Sequence, residues 1–178
     1  MNNFSLHDYL RAHNAWSART FGTDRKPMSI IKHLRKELEE LQQKPDDILE
    51  YVDIIILAAD GAFLCQYTPN QVVEALMNTL GEKPDDGEPN CGYYDSILHV
   101  CNLAEHLFLN PSQHVHPNDT LRFWIEIATS AFQMARAAGF SLAQITFALQ
   151  HKQSINFKRR WPTPGDPNEP TEHLREGE

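Results

Sequence analysis

Apolar residues recur along this chain at spacings of three and four. No strand-length run alternates apolar with polar, so the pattern predicts an all-α protein. Ser5-Leu6-His7-Asp8 resembles a capping box and opens a first helix running to about residue 19. Pro27 starts a second, with Ile30, Ile31, Leu34, Leu38 and Leu41 on one face, ending near residue 43. After Pro45-Asp46-Asp47 comes a third, over 48–64, which is apolar almost all round and so belongs in the middle of a bundle. Thr68 as N-cap and Pro69 in the first turn open a fourth, to about residue 80. Helical periodicity resumes over 95–109 and 119–138, and Ser141 caps a last helix reaching about residue 160. The Gly-, Pro- and Asn-containing stretches 81–93 and 110–118 read as loops, with His114 and His116 facing solvent. Residues 162–178 are rich in Pro and Glu and read as an extended tail.

Three acids interrupt the third helix: Glu50, Asp53 and Asp60. At about 100° per residue, spacings of three and seven put all three on one narrow stripe. Glu37 and Glu40 stand three apart on the second helix, so two neighbouring helices can face each other with four or five carboxylates. Carboxylates that close repel, and burying them bare costs on the order of several kcal/mol each. Something positive must lie between them, and hard oxygen ligands suit Mg²⁺ or Mn²⁺. The plainer alternative is a salt-bridged surface, in which Glu39 faces solvent and Lys36 pairs with Glu40 at i,i+4. The third helix favours the metal, because it has no polar face for water and no basic residue after Glu50.

The second half echoes the first. Residues 46–76 lie over 119–149 at an offset of 73 (119 less 46), aligning Tyr51 with Trp124, Ala58 with Ala131 and Thr68 with Ser141. The acids do not survive the copy: Glu37 becomes Leu103, Glu40 His106, Glu50 Phe123 and Asp60 Gln133, while Asp53 becomes Glu126. Conversely, the last helix carries Lys152, Asn156, Arg159, Arg160 and Trp161, and its first-half counterpart has no such group. The expected organisation is one compact unit. Residues 1–93 carry the acidic site, 94–161 form a degenerate half supplying the basic helix, and 162–178 form the tail.

Composition narrows the partners. A net charge of −8 opposes a nucleic-acid polymer as ligand, and the basic residues cluster only at Lys158-Arg159-Arg160. Cys65, Cys91 and Cys101 are odd in number and lack C-x-x-C spacing, which fits free thiols in a reducing compartment. The N-terminus shows no signal-peptide succession, and the longest apolar run, 54–59, is too short for a bilayer. A cytoplasmic protein independent of membranes is expected.

Acids on one helix pair and bases on another describe a polyphosphate site. Metal ions on Glu37, Glu40, Glu50 and Asp53 would neutralise phosphate oxygens and lower the pKa of a water, and Lys152 with Arg159 or Arg160 would clamp outer phosphates. No Cys, Ser or Lys nucleophile is set beside a base, so attack by water is the economical chemistry. Tyr9, Leu10, Trp16 and Phe21 are core residues by default, with base stacking as the alternative.

E-x-x-E at Glu37-Leu38-Glu39-Glu40 and E-x-x-D at Glu50-Tyr51-Val52-Asp53 resemble the all-α NTP pyrophosphohydrolases, the MazG-like proteins. The runs 33–40 and 53–62, with Lys152, Asn156 and Arg160-Trp161-Pro162, more closely resemble a dATP/dGTP diphosphohydrolase group common in phages and prophages. Its phage MazZ-like branch is linked to 2-aminoadenine genomes. The resemblance covers 21–76 and 142–162. It implies a helical bundle and the reaction dNTP + water → dNMP + pyrophosphate, with dGTP and dATP favoured. It implies two or three Mg²⁺ per site, Mn²⁺ substituting, held by Glu37, Glu40, Glu50 and Asp53. Glu40, with Glu37, would serve the attacking water. Lys152, Asn156 and Arg160 would contact phosphate or sugar, and Asp60 and Trp16 would line the substrate site. It further implies a dimer or tetramer, in the host cytoplasm if phage-encoded. Since the duplication can supply in cis what a second subunit supplies elsewhere, one working site per chain is expected.

Three rivals are weaker. A non-hydrolytic nucleotide-binding or regulatory protein has no need of four converging carboxylates. A ferritin-type di-metal bundle wants Glu-x-x-His, absent from the acidic helices. A zinc site from Cys91, His99, Cys101 and His106 fits no common spacing.

Overall fold

The computed structural model describes residues 4–82, 92–110 and 117–174. Cys91, His114 and His116 lie outside these residues. Among the described residues there are helices and no strand: α1 Leu6–Phe21, α2 Pro27–Gln43, α3 Ile48–Leu64, α4 Pro69–Glu82, α5 Tyr93–Leu109, α6 Pro117–Ala137 and α7 Leu142–Lys158. None is long and apolar enough to cross a membrane.

α3 sits at the centre, as its all-round apolar surface requires. It crosses α6 in the broadest contact of the bundle and also touches α1, α2, α4 and α7. Val52, Ile54, Ala58 and Ala62 of α3 are buried to within 1% of full burial. Small residues make the crossing close: a Cβ built on Gly61 would stand 2.4 Å from the Trp124 ring of α6.

The helical units repeat. α2 packs on α3 as α5 packs on α6, and α7 lies on α3 as α4 lies on α6. Local chemistry recurs at the predicted offset. Thr68 Oγ1 accepts from the Gln71 N–H at 3.3 Å while the Gln71 amide oxygen accepts from the Thr68 N–H at 2.9 Å. Ser141 and Gln144 form the same capping box at 3.3 and 2.8 Å. Just upstream, the Tyr67 N–H donates to the Ala62 carbonyl and the Phe140 N–H to the Ala135 carbonyl, at 3.2 and 3.1 Å. The turn between needs a left-handed residue, and Gln66 (φ 70°) and Gly139 (φ 94°) are the equivalent pair. Among the described residues α1 has no counterpart.

Two expectations change. The last helix stops at Lys158, because Arg159 turns to extended backbone (φ −67°, ψ 148°). The described tail residues, 162–174, have no regular structure and are tied down. The Lys26 N–H donates to the Pro167 carbonyl at 2.8 Å, the Leu174 N–H donates to the Arg160 carbonyl at 2.9 Å, and Lys32 and Lys36 of α2 pair with Glu169 and Glu172. The acids that made the tail read as loose chain are the partners of a lysine row on α2.

Candidate active site

The site begins at the α2–α3 turn. The Lys44 N–H donates to the Glu40 carbonyl at 2.9 Å, and the Tyr51 hydroxyl donates to the Pro45 carbonyl at 2.8 Å. The Asp47 side chain caps α3 by accepting from the Leu49 N–H at 3.0 Å. This short, pinned link sets the last turn of α2 beside the first turn of α3. Carboxylate oxygens of Glu37, Glu40 and Glu50 consequently lie within 4.8 Å of one another, with Glu37 and Glu50 buried and Glu40 partly so. Among the described residues they form the one group of three suited to a metal.

Asp53 stands apart from that trio. One turn along α3, it pairs with Lys152 Nζ of α7 at 2.5 Å. Burial pushes its carboxyl up to about 7, with Lys152 opposing the rise and Glu37 and Glu50 adding to it. The other acids have basic residues beside them too: His33 2.9 Å from Glu37, Lys36 3.7 Å from Glu40, and Lys44 3.0 Å from Glu50. The i,i+4 pair of Lys36 with Glu40 belonging to the plainer reading is therefore real, and it coexists with the converging trio.

These groups line a cleft of about 690 Å³. Its floor follows α3 from Glu50 through Asp53, Ile56 and Leu57 to Asp60, about 15 Å at the helical rise. α7 supplies Lys152 and Asn156, both buried, and Arg159 follows at its end. Arg159 Nη1 donates to Asn156 Oδ1 at 3.0 Å. Arg160 is exposed and does not line the cleft, because the helix ends before the spacing of four from Asn156 is completed.

At the far end Asp60 is buried in a polar network. His13 Nε2 donates to its Oδ1 at 3.0 Å, and Ser17 Oγ and Arg25 Nη2 donate to its Oδ2 at 3.1 and 2.9 Å. Burial alone would raise this carboxyl, but Arg25 and then His13 outweigh it and hold it well below the usual range. Asp60 thus anchors Arg25 and His13, not the bases of α7. A carboxyl lowered in the folded state contributes stability that is complete above about pH 5 and lost as the pH falls through about 4 and below. Asp60→Asn is expected to lose about 3–5 kcal/mol, as for a broken buried pair, and to flatten that acid slope. Thermal unfolding of both proteins between pH 6 and 3 checks this.

Trp16 lies here within an aromatic group. It meets Phe21 at 5.4 Å and Trp161 at 5.9 Å between ring centroids, and all three line the cleft. The tail adds Thr171, Glu172 and His173 to the wall. Sequence reasoning missed Arg25, His13, His33, Lys44 and the tail residues as site groups. One signal did exist: a buried Asp60 with no base on its own helix requires a cation from elsewhere. The zinc reading gains nothing, since His99 and His106 are exposed while Cys101 is buried, its thiol pushed up to about 11 by burial.

An all-α bundle with clustered carboxylates facing lysines across a cleft is the layout of an all-α nucleotide pyrophosphohydrolase. The chain belongs to the dATP/dGTP pyrophosphohydrolase family, whose model matches residues 9–90 and 108–177. It is a hydrolase acting on dNTPs. No curated protein and no solved structure matches it.

Proposed function

We propose that each chain carries one complete, Mg²⁺-dependent dNTP site, with acids from α2 and α3 and bases from α7. The observation that carries it is the single cleft in which the glutamate trio meets Lys152 and Arg159. The trio fits a hard divalent cation: three carboxylates, oxygen donors only, close enough to share an ion. Mg²⁺ there would neutralise phosphate oxygens and lower the pKa of a bound water.

The chain's own groups do the rest. Glu37 and Glu50, together with Glu40, would hold the cation. Glu40, the least buried of the three, orients the attacking water and takes its proton. Asp53 positions Lys152 and adds charge beside the trio. Lys152, Lys44 and Arg159 contact the phosphates, and Asn156 fixes Arg159. The aromatic group around Trp16 encloses the base. Ile56 and Leu57 form an apolar stretch of the floor between the two ends.

The test is product analysis after chelation and Mg²⁺ addition. Chelated protein is expected to leave dGTP intact, and Mg²⁺ or Mn²⁺ to restore release of dGMP and pyrophosphate. Mg²⁺ should also raise the Tm of the protein without nucleotide. Release of dGDP and orthophosphate, or full activity under chelation, would contradict the proposal.

A further inference from the structure

Arg25 is an unusual feature of the cleft wall. It lies in the loop between α1 and α2, outside every acidic motif, yet its side chain is only 10% exposed. Its guanidinium carbon sits 4.8 Å from the centre of the Phe21 ring. Its two hydrogen bonds, to Ser17 and Asp60, both leave from Nη2. A guanidinium carries five N–H donors in a rigid fork. Nε is fully buried with no partner, and among the described residues no hydrogen bond leaves Nη1. A buried, oriented cation with donors to spare is costly for stability alone.

Its place along the cleft says what the Nη1 donor meets. The trio and Lys152 occupy one end. Arg25, Asp60, Trp16, Phe21 and Trp161 occupy the other, up to about 15 Å away along α3. A triphosphate at the acidic end leaves the base among the aromatic rings, beside Arg25. Adenine and guanine share one edge acceptor there, N7, and guanine adds O6 next to it, where adenine has an amino donor.

We propose that Arg25, positioned by Asp60 and Ser17, is a specificity-determining residue that donates from Nη1 to purine N7. This rests on the reading of the cleft as the dNTP site. One donor at N7 admits both purines and leaves pyrimidines unmatched.

The experiment compares kcat/KM for dGTP and dATP with their 7-deaza analogues, in which a C–H replaces N7. For the unaltered protein the 7-deaza analogues are expected to react about 5- to 100-fold more slowly, the discrimination of a base-edge contact. In Arg25→Gln, parent and 7-deaza nucleotides should react alike. Arg25→Lys keeps a cation for Asp60 but loses the Nη1 donor, so it should shrink the 7-deaza penalty even if the Gln variant fails to fold. Equal turnover of parent and 7-deaza nucleotides by the unaltered protein would overturn the proposal alone. A uniform loss across all dNTPs in Arg25→Lys, with the 7-deaza penalty kept, would likewise overturn it and place Arg25 on phosphate. Failure to hydrolyse dGTP or dATP would overturn the reading of the cleft and the proposal with it.

Discussion

Glu50→Gln is expected to lower kcat/KM for dGTP more than about 100-fold, since losing even a group that merely supports a ligand costs about 10- to 100-fold. The fold should survive. Glu50 is 6% exposed and shares a small volume with Glu37 and Glu40. Removing one of three neighbouring negative charges relieves repulsion. Its partner Lys44 has a side chain that is 58% exposed and forfeits at most about 1 kcal/mol. The Tm of the chelated variant should therefore match or exceed that of the unaltered protein, while the rise in Tm on adding Mg²⁺ should shrink. A variant that is inactive because it has lost several degrees of Tm would show Glu50 to be a structural acid.

Gly61→Ala should do the reverse, with damage to stability and not to chemistry. The new methyl would stand 2.4–2.6 Å from three Trp124 ring carbons. Trp124 cannot swing aside: it is 1% exposed, its Nε1–H donates to Cys65 Sγ at 3.3 Å, and it stacks on Phe108. Overpacking of this kind costs about 1–3 kcal/mol or more, and the better helix propensity of Ala returns about 1 kcal/mol at most. For a net loss of about 1–2 kcal/mol the expected fall in Tm is about 2–8 °C for a chain of this size. Because Gly61 faces α6 and not the cleft, dGTP hydrolysis well below the new Tm should stay within about twofold. Calorimetry and a low-temperature assay measure the two effects separately.

How much of this was legible in the chain varies with the kind of physics. The helices were, because their limits depend on near neighbours: Pro27 at a first turn, Asp47 over Leu49, and Ser141 with Gln144. The repeat was legible for the same reason, since equivalent caps leave chemically similar residues 73 positions apart. The acid trio followed from helical spacing plus one short turn. Asp53, grouped with those acids by spacing, is paired with Lys152 in the structure. That pairing depends on how α7 crosses α3, and no local pattern encodes a crossing. Arg160 was misplaced because spacing was extended past the point where Arg159 leaves the helix. Arg25 and the tail were out of reach. A loop residue has no period, and the return of the tail rests on single long-range contacts such as Lys26 with Pro167.

The central claim is one site per chain, its acids and bases supplied in cis. It is tested most directly by co-expressing Glu50→Gln and Lys152→Met chains and assaying pyrophosphate release from dGTP. Each variant alone should be nearly inactive. If each site draws acids and bases from one chain, the mixture stays as inactive as its components. Recovery to about a quarter of unaltered activity, the statistical yield for a dimer whose sites span two subunits, would contradict the account.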